Sequence, residues 1–175
     1  MKSILIIGIS GGLAQITKDL FLKRFPDVYI TGVDSRAVAD LSKDERVTNQ
    51  TIKYSRNHFE KVFRDNQFDL VIQLGRLSHT QAFTSDALSH RLDVNLTGTK
   101  CILDLSLKFG VKKVILLSSY HVYGALSDNP VFLDEDQPLR GSIKHRELRD
   151  VIEMDQMSSN WMWKNQKKIE TLILR

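Results

Sequence analysis

Apolar and polar positions alternate along the chain in blocks that switch between strand and helix periods. Ile4 to Ile7 is an apolar run that ends at Gly8. A 3.6-residue pattern follows from Leu13 to Phe25 and predicts a helix, and Val28 to Val33 predicts a second strand ending at Asp34. A short helical piece is expected near Ala37 to Leu41, then a weaker, more polar third strand over Val47 to Tyr54. Asn57 is the expected N-cap of a helix from His58 to Asp65, with Phe59, Val62 and Phe63 on one face. Phe68 to Leu74 is the fourth strand, closing at Gly75-Arg76, and Arg76 to Thr84 a loop. A long helix is expected from Ser85 to Phe109, stopped by Gly110 as its C′ residue. Val111 to Leu117 is near-continuously apolar, so it belongs in the middle of a parallel sheet. A polar loop from Ser118 to Gly141, a last helix from Ile143 to Asn160 and a sixth strand over Ile169 to Arg175 complete the chain. Strands alternating with helices, joined by right-handed crossovers, give an α/β, doubly wound Rossmann fold: a parallel sheet of about six strands with helices on both faces.

Composition narrows the class. The chain has 175 residues, 42% hydrophobic and 26% charged, which suits one globular domain. Its one cysteine, Cys101, excludes a disulfide framework, and a reducing cytoplasm is the simplest setting. The apolar run after Lys2 is too short for a signal peptide, and no stretch approaches the length of a membrane helix. The net charge of +4 comes from scattered bases with no aromatic-interleaved cluster, so nucleic acid and membrane are not expected partners. His58, His79, His90, His121 and His145 are dispersed, and no metal site is expected.

The first strand, the turn Gly8-Ile-Ser-Gly11-Gly12-Leu13-Ala14 and the helix behind it stand in the order a dinucleotide site needs. Gly8 permits a sharp exit from a buried strand. Gly11 and Gly12 let a pyrophosphate lie against backbone, and the helix start presents unpaired N–H groups and a positive dipole end. Asp34, at the tip of the second strand, is placed to accept both hydroxyls of an adenosine ribose.

The stretch Asn95-Leu-Thr-Gly98-Thr99, followed by a helix, a strand and Ser118-Ser119-Tyr-His-Val-Tyr123-Gly124, resembles the extended short-chain dehydrogenase/reductase family, which contains nucleotide-sugar epimerases and dehydratases. The opening glycine pattern, with Ala14 for the last glycine, Asp69 to Leu74, and Asp134-Glu135-Asp136-Gln-Pro138 fit the same resemblance. It implies that residues 1–175 form one NAD(P)-binding Rossmann domain whose substrate-binding domain is absent or truncated. It implies a cofactor site of Gly8, Gly11, Gly12, Leu13, Asp34, Arg36, Leu74, Gly75, Asn95 and Ser118, with NAD expected over NADP because Asp34 repels a 2′-phosphate. Arg36 works the other way, offering that phosphate a charge.

The same resemblance puts Ser119 at the family's catalytic Ser/Thr, where a hydroxyl bonds the reacting sugar oxygen of a nucleotide-sugar substrate. The family's Tyr-x-x-x-Lys base pair falls on His145 and Arg149, and Glu153 matches a following Glu. The pair is therefore replaced, and the ordinary proton relay is not expected. Tyr120 and His121 stand where dehydratases carry Asp-Glu, which argues against that branch. The resulting expectation is an epimerase/dehydratase-like oxidoreductase or isomerase if active, or else a non-catalytic dinucleotide-sensing or interaction module. A homodimer through the long helix and the last helix is the implied assembly. Tyr54 is open to adenine stacking or strand-end packing, and Trp161 and Trp163 to core packing or a partner patch.

Overall fold

The computed structural model describes residues 2–36, 44–75, 89–143 and 145–175. Strands β1 (Ser3–Ile7), β2 (Tyr29–Asp34), β3 (Val47–Thr51), β4 (Leu70–Gln73), β5 (Lys113–Leu117) and β6 (Glu170–Leu174) form one sheet. The order is β3-β2-β1-β4-β5-β6, and every pairing is parallel. The two central strands are buried on both faces, so β1 and β4 are nearly all apolar, while the edge strand β3 reads Val-Thr-Asn-Gln-Thr. The expected Ala37 to Leu41 helix, the Arg76 to Thr84 loop and the first residues of the long helix lie outside the described residues.

Helices α1 (Gly12–Arg24), α2 (Arg56–Asp65), α3 (Thr99–Lys108) and α4 (Arg149–Asn165) cover the sheet. One core layer joins Ile4, Ile6, Ile30, Leu70 and Ile72 to Ala14, Phe21 and Leu22 of α1. The other joins Leu5, Ile7, Val71, Val114 and Leu116 to Phe59 and Phe63 of α2, Ile102 and Leu105 of α3 and Trp161 of α4. Alternate residues of each strand therefore enter opposite layers, as the pleat requires. Trp161 is core, donating to Asp104 Oδ1 at 3.0 Å, whereas Trp163 is 64% exposed.

Several boundaries differ from the sequence expectation. Ser55, not Asn57, caps α2, its hydroxyl 2.6 Å from His58 Nδ1. The helix before α3 widens to a π turn over Leu92–Gly98. There Gly98 meets the Tyr54 ring so closely that a Cβ would lie 2.5 Å from it. Gly110 ends α3 as expected: it takes φ +70°, with Gly110 N–H bonding Leu107 O at 3.3 Å and Val111 N–H bonding Ser106 O at 2.9 Å. The last helix begins at Arg149, after a 3₁₀ turn over Arg146–Leu148, and runs on to Asn165.

Asp69 closes the amino end of the sheet. Its carboxylate accepts Lys112 Nζ at 2.6 Å and the N–H groups of Lys2 at 2.7 Å and Ser3 at 3.4 Å. The Lys112 bond first, then the Lys2 N–H, hold its pKa down at about 2. A carboxyl depressed in the folded state stabilises above its unfolded pKa, and that contribution disappears as pH falls through the folded one. Chemical unfolding followed from pH 5 downward should therefore show stability lost between about pH 4 and pH 2. Asp69→Asn should flatten that limb.

Candidate functional site

The glycine turn sits at the carboxyl edge of the sheet between β1 and α1. Gly8 holds φ +84°, and its N–H bonds Val33 O at 2.8 Å. A Cβ at Gly8 would lie 2.5 Å from Gly75 Cα, so the exits of β1 and β4 pass back to back. Leu74 seals this contact from below, half-buried against the α1-side core, with its N–H on Ile7 O at 3.0 Å. Gly11 N–H bonds Gly8 O at 3.0 Å, and Gly11 itself caps α1 with extended backbone and no side chain. A Cβ at Gly12 would meet nothing within 4 Å. By helix geometry the N–H groups of Gly12, Leu13 and Ala14 find no partner inside α1. The Leu13 side chain is 53% exposed beside them.

Asp34 is locked to this turn. Its Oδ2 accepts Ser10 N–H at 3.0 Å, and its Oδ1 accepts Arg36 N–H at 2.9 Å and Arg36 Nε at 3.3 Å. Burial pushes the Asp34 carboxyl up, but the Arg36 side chain and these two backbone donors outweigh it, so the net shift is downward. Asp34 is ionised at neutral pH; Arg36 Nη2 also reaches Oδ2 at 3.4 Å, so ribose hydroxyls would take the places of the exposed Arg36 guanidinium. Ser10 Oγ is buried without a hydrogen-bond partner among the described residues. Open space over Gly12, the free donors of α1, an unpartnered hydroxyl and a fixed carboxylate fit a pyrophosphate with its adjoining ribose.

Tyr54 turns inward. Its ring stands edge-on to Phe59 at 4.8 Å, its hydroxyl accepts Gln73 Nε2 at 2.5 Å and donates to Gly75 O at 3.4 Å. Burial raises its pKa well above the usual phenol range. Tyr54 therefore braces Gly75, and through it the glycine turn, by strand-end packing.

Farther along the same edge, the predicted site residues divide. Ser119 is 7% exposed at the end of β5 and caps a 3₁₀ turn, Tyr120–Tyr123. Its Oγ lies 2.9 Å from His121 Nδ1. Ser118 points to the other side, donating to Asp155 Oδ2 at 2.5 Å beneath α4. Asn95 is buried in the π turn, where its Nδ2 donates to Asp150 Oδ2 at 2.6 Å. His145 precedes α4 and so cannot share a helical face with Arg149. Its Nδ1 is 3.0 Å from Glu147 Oε1, and Arg149 Nε is 2.6 Å from Glu153 Oε1 on the exposed side. The structure thus brings His121 and His145 to one cavity of about 230 Å³, with Ser119 behind His121 and Arg149 both outside its lining.

Sequence reading passed over the buried charges around this edge. Arg91 pairs with Asp150 at 3.5 Å and donates to Glu147 O at 3.0 Å, both side chains being essentially inaccessible. Arg175 pairs with Asp155 at 2.8 Å. The available signal was two carboxylates, Asp150 and Asp155, interrupting the apolar positions Val151, Ile152, Met154 and Trp161 of α4. Charges there need buried partners. Among the described residues no group of three or more His, Cys, Asp or Glu is arranged to hold a metal, and no helix is long and apolar enough to cross a membrane.

Comparison with known proteins agrees with this geometry. The NAD dependent epimerase/dehydratase family matches residues 4–171. A UDP-glucose 4-epimerase of Erwinia amylovora is 31% identical over 147 residues, covering 80% of this chain and 43% of that protein. A UDP-glucose 4-epimerase of Bacillus subtilis (strain 168) is 24% identical over 158 residues, covering 86% and 46%. The chain thus spans somewhat under half the length of these curated relatives. Among solved structures, UDP-glucose 4-epimerase from Bifidobacterium longum, in complex with NAD+ and UDP, matches 99% of this chain and 52% of its own at TM-score 0.82 and 21% identity. The dTDP-glucose 4,6-dehydratase from Bacillus anthracis str. Ames, in complex with NAD, matches 99% and 54% at TM-score 0.80 and 16% identity. With the doubly wound sheet and glycine turn in place and the family match running over nearly its whole length, the chain belongs to the NAD dependent epimerase/dehydratase family.

Proposed function

We propose that this chain binds NAD along the carboxyl edge of its sheet, as the dinucleotide-binding domain of an epimerase/dehydratase-like protein for nucleotide sugars. The observation that carries this reading is the 3.0 Å bond from Ser10 N–H to Asp34 Oδ2. It makes the phosphate cradle and the ribose acceptor one rigid unit. Gly11, Gly12 and Leu13 offer backbone donors to the pyrophosphate, and Asp34 accepts the ribose hydroxyls while repelling a 2′-phosphate. Gly75, braced by Tyr54, backs the turn, and Asn95 and Ser118 act from behind through Asp150 and Asp155. When bound, the nicotinamide supplies a two-electron hydride acceptor. Ser119 orients a sugar oxygen beside it.

The placement of His145 before α4, and of Arg149 against Glu153, favours a second reading: a dinucleotide-binding module without turnover. Nicotinamide fluorescence decides between these. NADH should bind at least about tenfold tighter than NADPH, and Asp34→Asn should weaken NADH by about tenfold or more, the loss of charge-assisted bonds to hydroxyls. No binding of either dinucleotide at roughly millimolar concentration defeats both readings. Binding without conversion of UDP-glucose supports the module. In either case α3 and α4 are the proposed homodimer faces, and light scattering at fixed concentration tests that assembly.

A further inference from the structure

We propose that His121 is the proton acceptor behind Ser119, a positioning residue that takes over the base function left open at His145 and Arg149. This rests on the functional reading above. Ser119 Oγ accepts His121 N–H at 3.4 Å and lies 2.9 Å from His121 Nδ1. A hydroxyl has one hydrogen to give and two lone pairs; in the proposed arrangement one lone pair takes the backbone N–H and the hydrogen goes to Nδ1. The ring is then the neutral tautomer with its hydrogen on Nε2.

The imidazole is held by its neighbour Tyr120, and the turn that carries it by its backbone. It stacks on Tyr120 with centroids 4.1 Å apart and planes at 28°. The His121 carbonyl accepts Gly124 N–H at 3.0 Å. Gly141 packs so close to that carbonyl that no side chain fits there. The adjoining cavity of about 230 Å³ is walled by Tyr120, His121, Gly124, Leu133, His145 and Glu147. That is below the ~300 Å³ of ordinary ligand pockets, so it takes a single ring-sized, hydroxyl-bearing group and leaves the rest of a ligand outside. The other titratable groups in the wall are Tyr120, stacked on the His121 ring, and His145 and Glu147, which lie 3.0 Å apart and engage each other. His121 links this wall to the buried Ser119 hydroxyl behind it.

The chemistry is a relay. An alcohol proton passes to Ser119 Oγ as the serine proton passes to His121 Nδ1, so the serine hydroxyl is regenerated. Imidazole becomes imidazolium, and negative charge develops on the alcohol oxygen. The hydride leaving the same carbon requires an oxidised nicotinamide dinucleotide as its acceptor. Positioned bases of this kind contribute roughly 10²- to 10⁴-fold to a rate.

Nitrogen-15 NMR of the histidine rings in the full chain tests the tautomer directly. At a pH where the ring is neutral, His121 should show a bare Nδ1 and a protonated Nε2. Ser119→Ala should abolish that preference, Ser119→Thr should keep it, and His145→Gln should leave the His121 signals in place. A protonated Nδ1, or a spectrum indifferent to Ser119→Ala, overturns the proposal. Fluorescence titration of the same samples with NADH separates the two claims. NADH binding with a protonated Nδ1 overturns the relay alone. A correct tautomer without NADH binding overturns the functional reading, and with it the role of the relay in catalysis.

Discussion

Gly8→Ala should destabilise the protein by about 3 kcal/mol or more, adding a left-handed backbone penalty to an overlap in the sheet. Gly8 sits at φ +84°, where a Cβ is strained regardless of space, and that Cβ would lie 2.5 Å from Gly75 Cα. Gly75 cannot yield, because Leu74 N–H bonds Ile7 O at 3.0 Å and Gly75 O is held by Gln73 Nε2 at 3.0 Å. Gly12→Ala should behave in the opposite way. It begins α1 with nothing within 4 Å of its Cβ position, so its unfolding midpoint in urea should be unchanged or slightly raised. Its NADH affinity should nonetheless fall, by about tenfold or more, because the methyl enters the space given to the pyrophosphate. If both variants lose stability, the room over Gly12 is structural. If Gly12→Ala binds NADH normally, the phosphates lie elsewhere.

That contrast explains what was legible in the sequence. The strand order and the glycine turn depend on local rules: apolar runs, glycines with no Cβ and an acid at a strand tip. Asp34 could be found because its partner, Ser10 N–H, belongs to the neighbouring turn. The start of α4 could not be found by periodicity. Ile143 to Leu148 continue a helical pattern, yet 3₁₀ turns intervene and the regular helix starts at Arg149. The π turn over Leu92–Gly98 was equally hidden, since it goes with Tyr54, far back in the chain, meeting Gly98. The pairing of Ser119 with His121 needed the 3₁₀ turn that brings Nδ1 back over the hydroxyl. Ser118, adjacent to it and expected at the cofactor edge, follows β5 directly and donates to Asp155, a partner 37 positions away that no local rule points to.

Asp155→Ala should cost about 3–5 kcal/mol, the range for breaking a buried ion pair from one side. The Asp155 side chain is 0% exposed and that of Arg175 17%. Arg175 Nε reaches Asp155 Oδ2 at 2.9 Å and Nη2 reaches Oδ1 at 2.8 Å, a two-pronged contact. Ser118 and Ser159 donate to the same carboxylate. Arg175 Nη1 then donates to Glu135 O at 2.8 Å and to Tyr123 Oη at 3.3 Å, with the guanidinium 5.8 Å from the Tyr123 ring centre. Removing the carboxylate strands a partly buried cation and loosens β6, α4 and the loop carrying Glu135 together. Arg175→Ala should also destabilise, and the double replacement should cost less than the two single losses added, with a coupling of about 1–3 kcal/mol. Denaturant unfolding of the four proteins measures this. Purely additive losses would mean that the pair is held apart by water in solution. The same cycle bears on Ser119, because Tyr123 ends the turn that Ser119 begins. Strong coupling together with a disturbed His121 tautomer in Asp155→Ala would make the buried pair the support on which the Ser119–His121 contact is built.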